Sequence, residues 1–545
     1  MNQQGYQWIR PGDVNAFFGL MLDNIAGLVL LVGLLAGNYG FPVEFALAYM
    51  VPGTAIGVLV GDLIFFVTAF MLAKRSGRSD VTAMPLGLDT PSTIGMVFLV
   101  LGPSYTAGIE SGLDPQAAAM QTWHIGMCAI LITGVIKAVG ASIANWIHRV
   151  FPRAGLLGSL AAIALVLISF SQMPTIGKNP IVGLASLVIV FITLVGRKHL
   201  PGKIPGALAA VAAGCLIYYL LYAIQSSTGT SLVPVAHSVG DPVWFPREWM
   251  EAWKFEWLNA MILTVPYLGF IIPFAVATIV GGVDCAESAA SVGDEFKTSR
   301  VIGAEAVATF VAALCGGVIQ TTPYIGHPAY KAMGGRAAYV LATALFIGGA
   351  GLIGYFGYLF LWIPEAAVLP ILIFIGIEIT AQSFHATPRR HYAAIAVACI
   401  PALAKLIAIE FSKIGFLLDF SRVPAETAAS IQGNMLIVNV LAGGFIFTSL
   451  IWASAVAKII DRRFKTAAIY FAVAGVLVLF GIMHSPLAGD KMFWPTELSE
   501  MPVESRGYVI QFCIAYLVMA AICFGMSTVT SKEEFIDTDE EFEAL

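Results

Sequence analysis

The stretch "IVGGVDCAESAASVGDEF" carries Asp284, Glu287 and Ser291 at i, i+3 and i+7, which sets all three on one face of a helix. A carboxylate at mid-bilayer costs about 2.5–3.5 kcal/mol on insertion scales. Two within one turn repel, so at least one must hold a proton or a cation. Asp284 and Glu287 therefore suit ion coupling, and Glu287 can also accept N–H groups from a polar cargo. Asp284 fits a solvated helix end beside Asp294, Glu295 and Lys297 equally well. Near the start, "LMLDNIAGL" sets Asp23 and Asn24 in a comparable place.

Interrupted backbone offers a second chemistry. "AMPLGLDTPSTIGMVFL" contains Pro85, Gly87, Asp89, Pro91 and Gly95, and "TTPYIGHPAYKAMGG" contains Pro323, Gly326, His327 and Pro328. Proline removes an N–H and blocks the helix before it. Unpaired backbone groups cost several kcal/mol each in lipid, so such segments survive only inside protein or along a watery cavity. There, free peptide groups and helix N-termini can hold a polar solute. The residues expected to do so are Asp89, Thr90 and Ser92 in the first break, and Thr322, Tyr324, Ile325, Gly326 and His327 in the second. His327 either titrates near neutral pH or is satisfied by a neighbouring carbonyl.

The elements that must position these groups are membrane spans. The 545 residues are 58% hydrophobic and 12% charged, with a mean hydropathy of +0.83, whereas soluble domains carry about 25% charged residues. Apolar runs long enough to cross a ~30 Å hydrocarbon layer recur along the chain. They fall near 15–36, 46–73, 82–101, 122–141, 154–172, 180–196, 205–224, 262–290, 299–317, 318–334, 337–360, 365–384, 391–411, 434–457, 466–485 and 507–527. The first reads as a retained helix and not as a cleaved signal.

Counting 318–334 as a crossing puts twenty of the 29 Lys and Arg residues in cytoplasmic segments and seven outside. Both termini are then cytoplasmic, and the membrane is the plasma (inner) membrane. The broken segments are the third and the tenth, seven apart, so the second copy starts from the opposite face and the repeats are inverted. Trp249, Trp253 and Trp257 recur every fourth residue in the outer loop, as on an amphipathic helix at the headgroups. Asp62, Lys137, Glu305, Glu378 and Lys405 stand isolated inside spans, and structural pairing or an interfacial location is their expected role. All seven cysteines lie in apolar runs, with no pair at metal-ligand spacing. No phosphate loop, H-E-x-x-H or G-x-S-x-G motif occurs, so an enzyme is not expected.

These segments resemble the xanthine/uracil (nucleobase–cation symporter, nucleobase–ascorbate) permeases. The likeness covers residues 15–457 and is clearest at "AESAAS" (286–291), "GGVIQTTPYIG" (316–326) and "IPEAAVLPILIFIG" (363–376). It implies an all-α polytopic fold, a 7+7 transmembrane inverted repeat with short strands in helices 3 and 10. Two extra C-terminal spans lie outside that pattern.

It further implies a core domain (15–141 and 262–360) and a gate domain (154–224 and 365–457). These sit with a cytoplasmic N-terminus (1–14), an outer loop (225–261), the extra spans (466–527) and an acidic tail (528–545). By the same resemblance Glu287 hydrogen-bonds the substrate, Ser291 takes the polar place one turn on, and Asp23-Asn24 takes the place of a Gln-His pair. The family's second glutamate is replaced here by Gly326. "TTPYIG" is also similar to the Pro-x-x-Gly of sulfate-permease-type anion transporters, which share the fold.

The expected function is a secondary permease, an H⁺- or Na⁺-coupled symporter of a nucleobase-like or related small polar solute, working by an elevator-like motion. The alternative is a small-anion (bicarbonate or sulfate type) transporter. No cofactor beyond the coupling ion and no nucleic acid is expected; the partners are the solute, the bilayer and, by resemblance, a second copy of the chain.

Overall fold

The computed structural model describes residues 5–198, 200–233, 242–324, 326–415, 424–487 and 492–529. The chain is an all-α polytopic membrane protein. Among the described residues, nine helices are long and apolar enough to cross a bilayer, or twelve when three sharply bent pairs count as one span each. Several expected crossings are bent or short. The eleventh, 337–360, turns by 89° between Ala338–Leu352 and Phe356–Trp362, and the fourteenth by 63° between Ala425–Ala442 and Phe445–Ile460. Gly354 at φ +89° and Gly444 at φ +65° occupy those breaks, in a region open to glycine and strained for other residues.

Two compact units divide the chain: residues 1–144, 168–264 and 278–375, and residues 145–167, 265–277 and 376–545. In the first unit, α1 (Gly12–Tyr39) and α2 (Val51–Ser76) precede a strand, β1 (Leu86–Leu88). Pro85 and Pro91 bracket it and forbid a helix through it. α3 (Thr90–Glu110) follows, with Pro91 in its first turn, where the missing N–H costs nothing. The irregular stretch therefore lies before the third helix, and that helix runs about two and a half turns past the expected end at 101.

Next come α4 (Pro115–Val150), α5 (Leu268–Ser291) and α6 (Thr298–Leu314). A second strand, β2 (Thr321–Pro323), leads to the short helix α7 (His327–Ala332). β1 and β2 pair antiparallel, with Leu86 opposite Pro323, Gly87 opposite Thr322 and Leu88 opposite Thr321. Antiparallel pairing is the relation that segments entering from opposite faces require.

Small residues let helices close on this pair. Gly53, Gly57 and Gly61 recur every fourth residue along α2, and a Cβ at Gly57 would sit 2.7 Å from the Ala312 Cβ of α6. A Cβ at Gly61 would sit 2.7 Å from Leu86, so the same stripe seats β1 against α2.

In the second unit, α8 (Ala425–Ala442) leads into α9 (Phe445–Ile460), and α9, α10 (Phe464–Leu479) and α11 (Val503–Val529) share one apolar core of Ile451, Ala467, Phe471, Val478 and Tyr516. The extra spans are thus packed into this unit. His484 closes its polar centre: Nδ1 lies 3.0 Å from the Val440 carbonyl and Nε2 2.7 Å from the Tyr516 hydroxyl. A carbonyl only accepts, so Nδ1 carries the proton, Nε2 accepts from Tyr516, and Tyr516 accepts from Trp452 Nε1 at 2.8 Å.

The outer loop departs from expectation. It forms two 3₁₀ segments, Glu248–Lys254 and Glu256–Ala260, broken at Phe255 with φ 57°. Three residues per turn do not align an every-fourth spacing. Trp249 and Trp257 are buried, while Trp253 is exposed.

Candidate functional site: the paired midspan strands

A two-stranded sheet inside a membrane protein has two free edges, and each outward backbone group there needs a partner. Tyr324 N–H to the Pro85 carbonyl (2.9 Å) and Asp89 N–H to the Gln320 carbonyl (3.1 Å) extend the ladder between the strands, which fixes the other groups as outward. On β1 the outward N–H groups find acceptors. Leu86 N–H donates to Asp62 Oδ1 of α2 at 3.3 Å, and Leu88 N–H to Asn24 Oδ1 of α1 at 3.0 Å. On β2 the outward carbonyls find donors. Lys137 Nζ of α4 reaches the Thr321 carbonyl at 3.0 Å, and Cys285 Sγ of α5 the Pro323 carbonyl at 3.2 Å. Pro323 has no N–H to satisfy on that edge, which is why proline is tolerated there.

Lys137 and Glu305 of α6 form a fully buried ion pair, 2.5 Å apart, as isolated charges in apolar spans require. Gln320 bridges the next layer. Its Nε2 donates to Asp89 Oδ2 at 3.0 Å, and its Oε1 accepts from Thr278 of α5 at 3.4 Å. Gly87 faces Tyr324 and Asn24 so closely that a Cβ would lie 2.3 Å from the tyrosine oxygen.

The residues singled out from the sequence take distinct places. Asn24 is committed to β1, with its amide nitrogen donating to the Leu20 carbonyl at 2.9 Å. Asp23 is buried within hydrogen-bonding reach of the Tyr324 hydroxyl, which itself donates to the Leu88 carbonyl at 3.3 Å. Asp89, Thr90 and Ser92 are buried at the start of α3, and Ser92 Oγ donates to the Asp89 carbonyl at 3.1 Å. Thr322 pairs with Gly87, and Gly326 accepts from the Ala329 N–H at the head of α7. Ile325 lies outside the described residues, as does the side chain of Ser291.

The acidic face of α5 divides. Thr278 and Cys285 point at the second broken segment. At about 100° per residue, Glu287 stands about 200° around the helix from Cys285. Glu287 is exposed and Asp284 is buried. The strand pair and Glu287 thus occupy different faces of α5.

His327 is fully buried, and its partner is a carboxylate in place of the carbonyl considered from the sequence. Nε2 lies 3.0 Å from Asp294 Oδ2 in the loop between α5 and α6. Asp294 also pairs with Lys331 at 2.7 Å and Arg78 at 3.4 Å, and it accepts the Thr82 N–H at 3.2 Å. Burial works to raise the Asp294 carboxyl, but hydrogen bonds and charge from His327 and Lys331 outweigh it and hold it below the ordinary carboxylate value. This ion-paired end ties α7 to the loop after α2.

Sequence reasoning left Asp62, Lys137 and Glu305 as isolated charges and did not single out Cys285 or Gln320. The signal available was a charged residue inside an apolar run. What joins them is the strand pair, which brings α2, α4, α5 and α6 together.

No family model and no curated protein matches the chain. Solved structures similar in fold include the transmembrane domain of a cyanobacterium bicarbonate transporter, BicA. It aligns at TM-score 0.44 and 13% identity over 72% of this chain and 97% of that one. The overall structure of SLC26A9 aligns at TM-score 0.44 and 12% identity over 72% of this chain and 62% of that one. The murine Slc26a9 anion transporter in the inward-facing state aligns at TM-score 0.45 and 15% identity over 76% and 69%. The kinship with xanthine/uracil permeases expected from the motifs is not shown by these structures, which belong to anion transporters.

Proposed function

We propose that the protein is a cation-coupled secondary transporter whose cargo is a small anion of the bicarbonate or sulfate type. The observation that supports it is the filled edges of the strand pair. With Leu86, Leu88, Thr321 and Pro323 taken by side chains, the polar backbone left for cargo lies at the start of α3, where N–H groups and the helix dipole favour negative charge. Thr90 and Ser92 add hydroxyls there. The buried carboxylates Asp23, Asp62, Asp89, Asp284 and Glu305 outnumber the buried Lys137 around this pair, which favours a cation or proton moving with the anion.

The nucleobase reading relies on Glu287 as the acceptor of base N–H groups. Its place on the far face of α5, with Gly326 where a second carboxylate would stand, supports that reading less. In the elevator-like motion we infer, the segments 15–141 and 262–360 carry the site past 154–224 and 365–457, in a homodimer of the plasma membrane with both termini cytoplasmic.

The test is uptake into proteoliposomes of labelled bicarbonate, sulfate, uracil and xanthine, at two sodium concentrations and two pH values. Saturable anion uptake, unaffected by nucleobases, is expected. Saturable uracil or xanthine uptake that anions do not inhibit would replace this reading with the nucleobase one.

A further inference from the structure

Three ionisable groups meet at the β2 side of the strand pair, and their charges do not balance. Lys137 and Glu305 are fully buried, and Asp89 is 5% exposed. Lys137 Nζ touches both Glu305 Oε1 (2.5 Å) and the Thr321 carbonyl (3.0 Å). Asp89 hangs on Gln320, the residue before Thr321, through its own N–H and its side chain, and it lies within electrostatic range of Lys137 and Glu305. Two carboxylates and one ammonium leave one negative charge among buried groups. An uncompensated buried charge is neutralised by taking up a proton.

The neighbours do not supply the missing charge. α5 presents Cys285, a thiol already donating to Pro323, and the carboxylate Asp284. α2 presents Asp62 on the opposite edge, bonded to Leu86, and α1 presents Asp23. None of these is a cation. Two further groups face no partner among the described residues: the hydroxyl oxygens of Thr309, one turn beyond Glu305 on α6, and of Thr321, both fully buried. They are polar atoms beside the cluster with capacity to spare.

We propose that Asp89, Lys137 and Glu305 form a proton-binding site, in which one exchangeable proton is shared by the two carboxylates beside the lysine that pairs with Glu305. With the proton bound the cluster is neutral; without it the charge is −1. The two carboxylates titrate as one unit. Because Lys137 holds the Thr321 carbonyl and Asp89 opens α3, the proton sits where β2 and the proposed cargo site join. This deepens the transport reading by naming the coupling ion and its seat, and it moves coupling from Asp284 and Glu287 to the strand pair.

Infrared titration of the full-length protein in phosphatidylethanolamine–phosphatidylglycerol liposomes tests it without any cargo, so its outcome is separate from that of uptake. The readout is the carbonyl stretch of protonated carboxyl groups as pH is raised from 5 to 9. We expect Glu305→Gln and Asp89→Asn each to remove the pH-dependent loss of one carboxyl band, and Glu287→Gln to leave it. Lys137→Met should move the midpoint up by at least one pH unit, because removing the positive charge favours the protonated acids. Where a single variant fails to fold, Lys137→Met combined with Glu305→Gln removes one charge of each sign and leaves Asp89 as the reporter. An unchanged band in both Glu305→Gln and Asp89→Asn overturns the site, as does a band that responds to sodium and not to pH. If the band behaves as expected and no solute moves protons in liposomes, the site stands and the transport reading falls.

Discussion

The molecule holds two buried polar networks built on opposite terms. In the second unit, Trp452, Tyr516, His484 and Val440 form a neutral chain in which each named donor meets one acceptor and nothing is left over. In the first unit, Asp62, Asn24, Lys137, Glu305, Asp89 and Gln320 surround the strand pair with charges of both signs in unequal number. A closed neutral network orders a core. A charged one with more carboxylates than cations is expensive to keep, and a proton can relieve it. That difference is the basis for the proposed proton site at the strand pair, whereas the His484 chain serves as a fastening.

Breaking the charged network should cost most. Lys137→Met alone strands Glu305 and the Thr321 carbonyl, and should lower stability by about 3–5 kcal/mol. Combined with Glu305→Gln it should recover most of that loss; chemical unfolding in detergent checks both. Next comes the edge of β1. Asp62→Ala leaves the Leu86 N–H without its acceptor and should cost about 1–3 kcal/mol, while Asp62→Asn, which keeps an acceptor, should cost less.

The ion-paired end of α7 sharpens the comparison through pH. The Asp294 carboxyl is held below its ordinary value, so the stability it contributes is present above that value and lost as pH falls through the lowered one. Melting temperature should fall in the wild type as pH is lowered from about 4 towards 2, and the fall should be smaller in Asp294→Asn. The neutral chain should give the smallest effect. Tyr516→Phe removes two bonds and should cost about 1–2 kcal/mol, with no change in any solute uptake. A change in uptake there would blur the contrast between the two networks.

Legibility from the sequence followed the range of the forces involved. The broken segments at Pro85–Pro91 and Pro323–Pro328 could be read because proline acts on its own backbone, and the all-α polytopic class because hydrophobic length is a local property. The face expected to hold Asp284 and Glu287 together divides, with Asp284 buried and Glu287 exposed. Which side of α5 meets the strands was not readable, since that depends on where Cys285 docks. The three tryptophans misled because a 3₁₀ segment and a left-handed Phe255 replaced the helix that their spacing suggested.

By itself the sequence determined that this chain crosses a membrane many times and that two crossings cannot be continuous helices. Apolar length and missing N–H groups are written into single residues and short runs. Only the tertiary structure decided that Asp62, Asn24, Lys137 and Cys285, which lie far apart in the chain, each serve one outward peptide group of a six-residue sheet. The physical reason is that a strand edge has no side-chain preference of its own. It takes whichever acceptor or donor the packed helices bring within 3 Å or so.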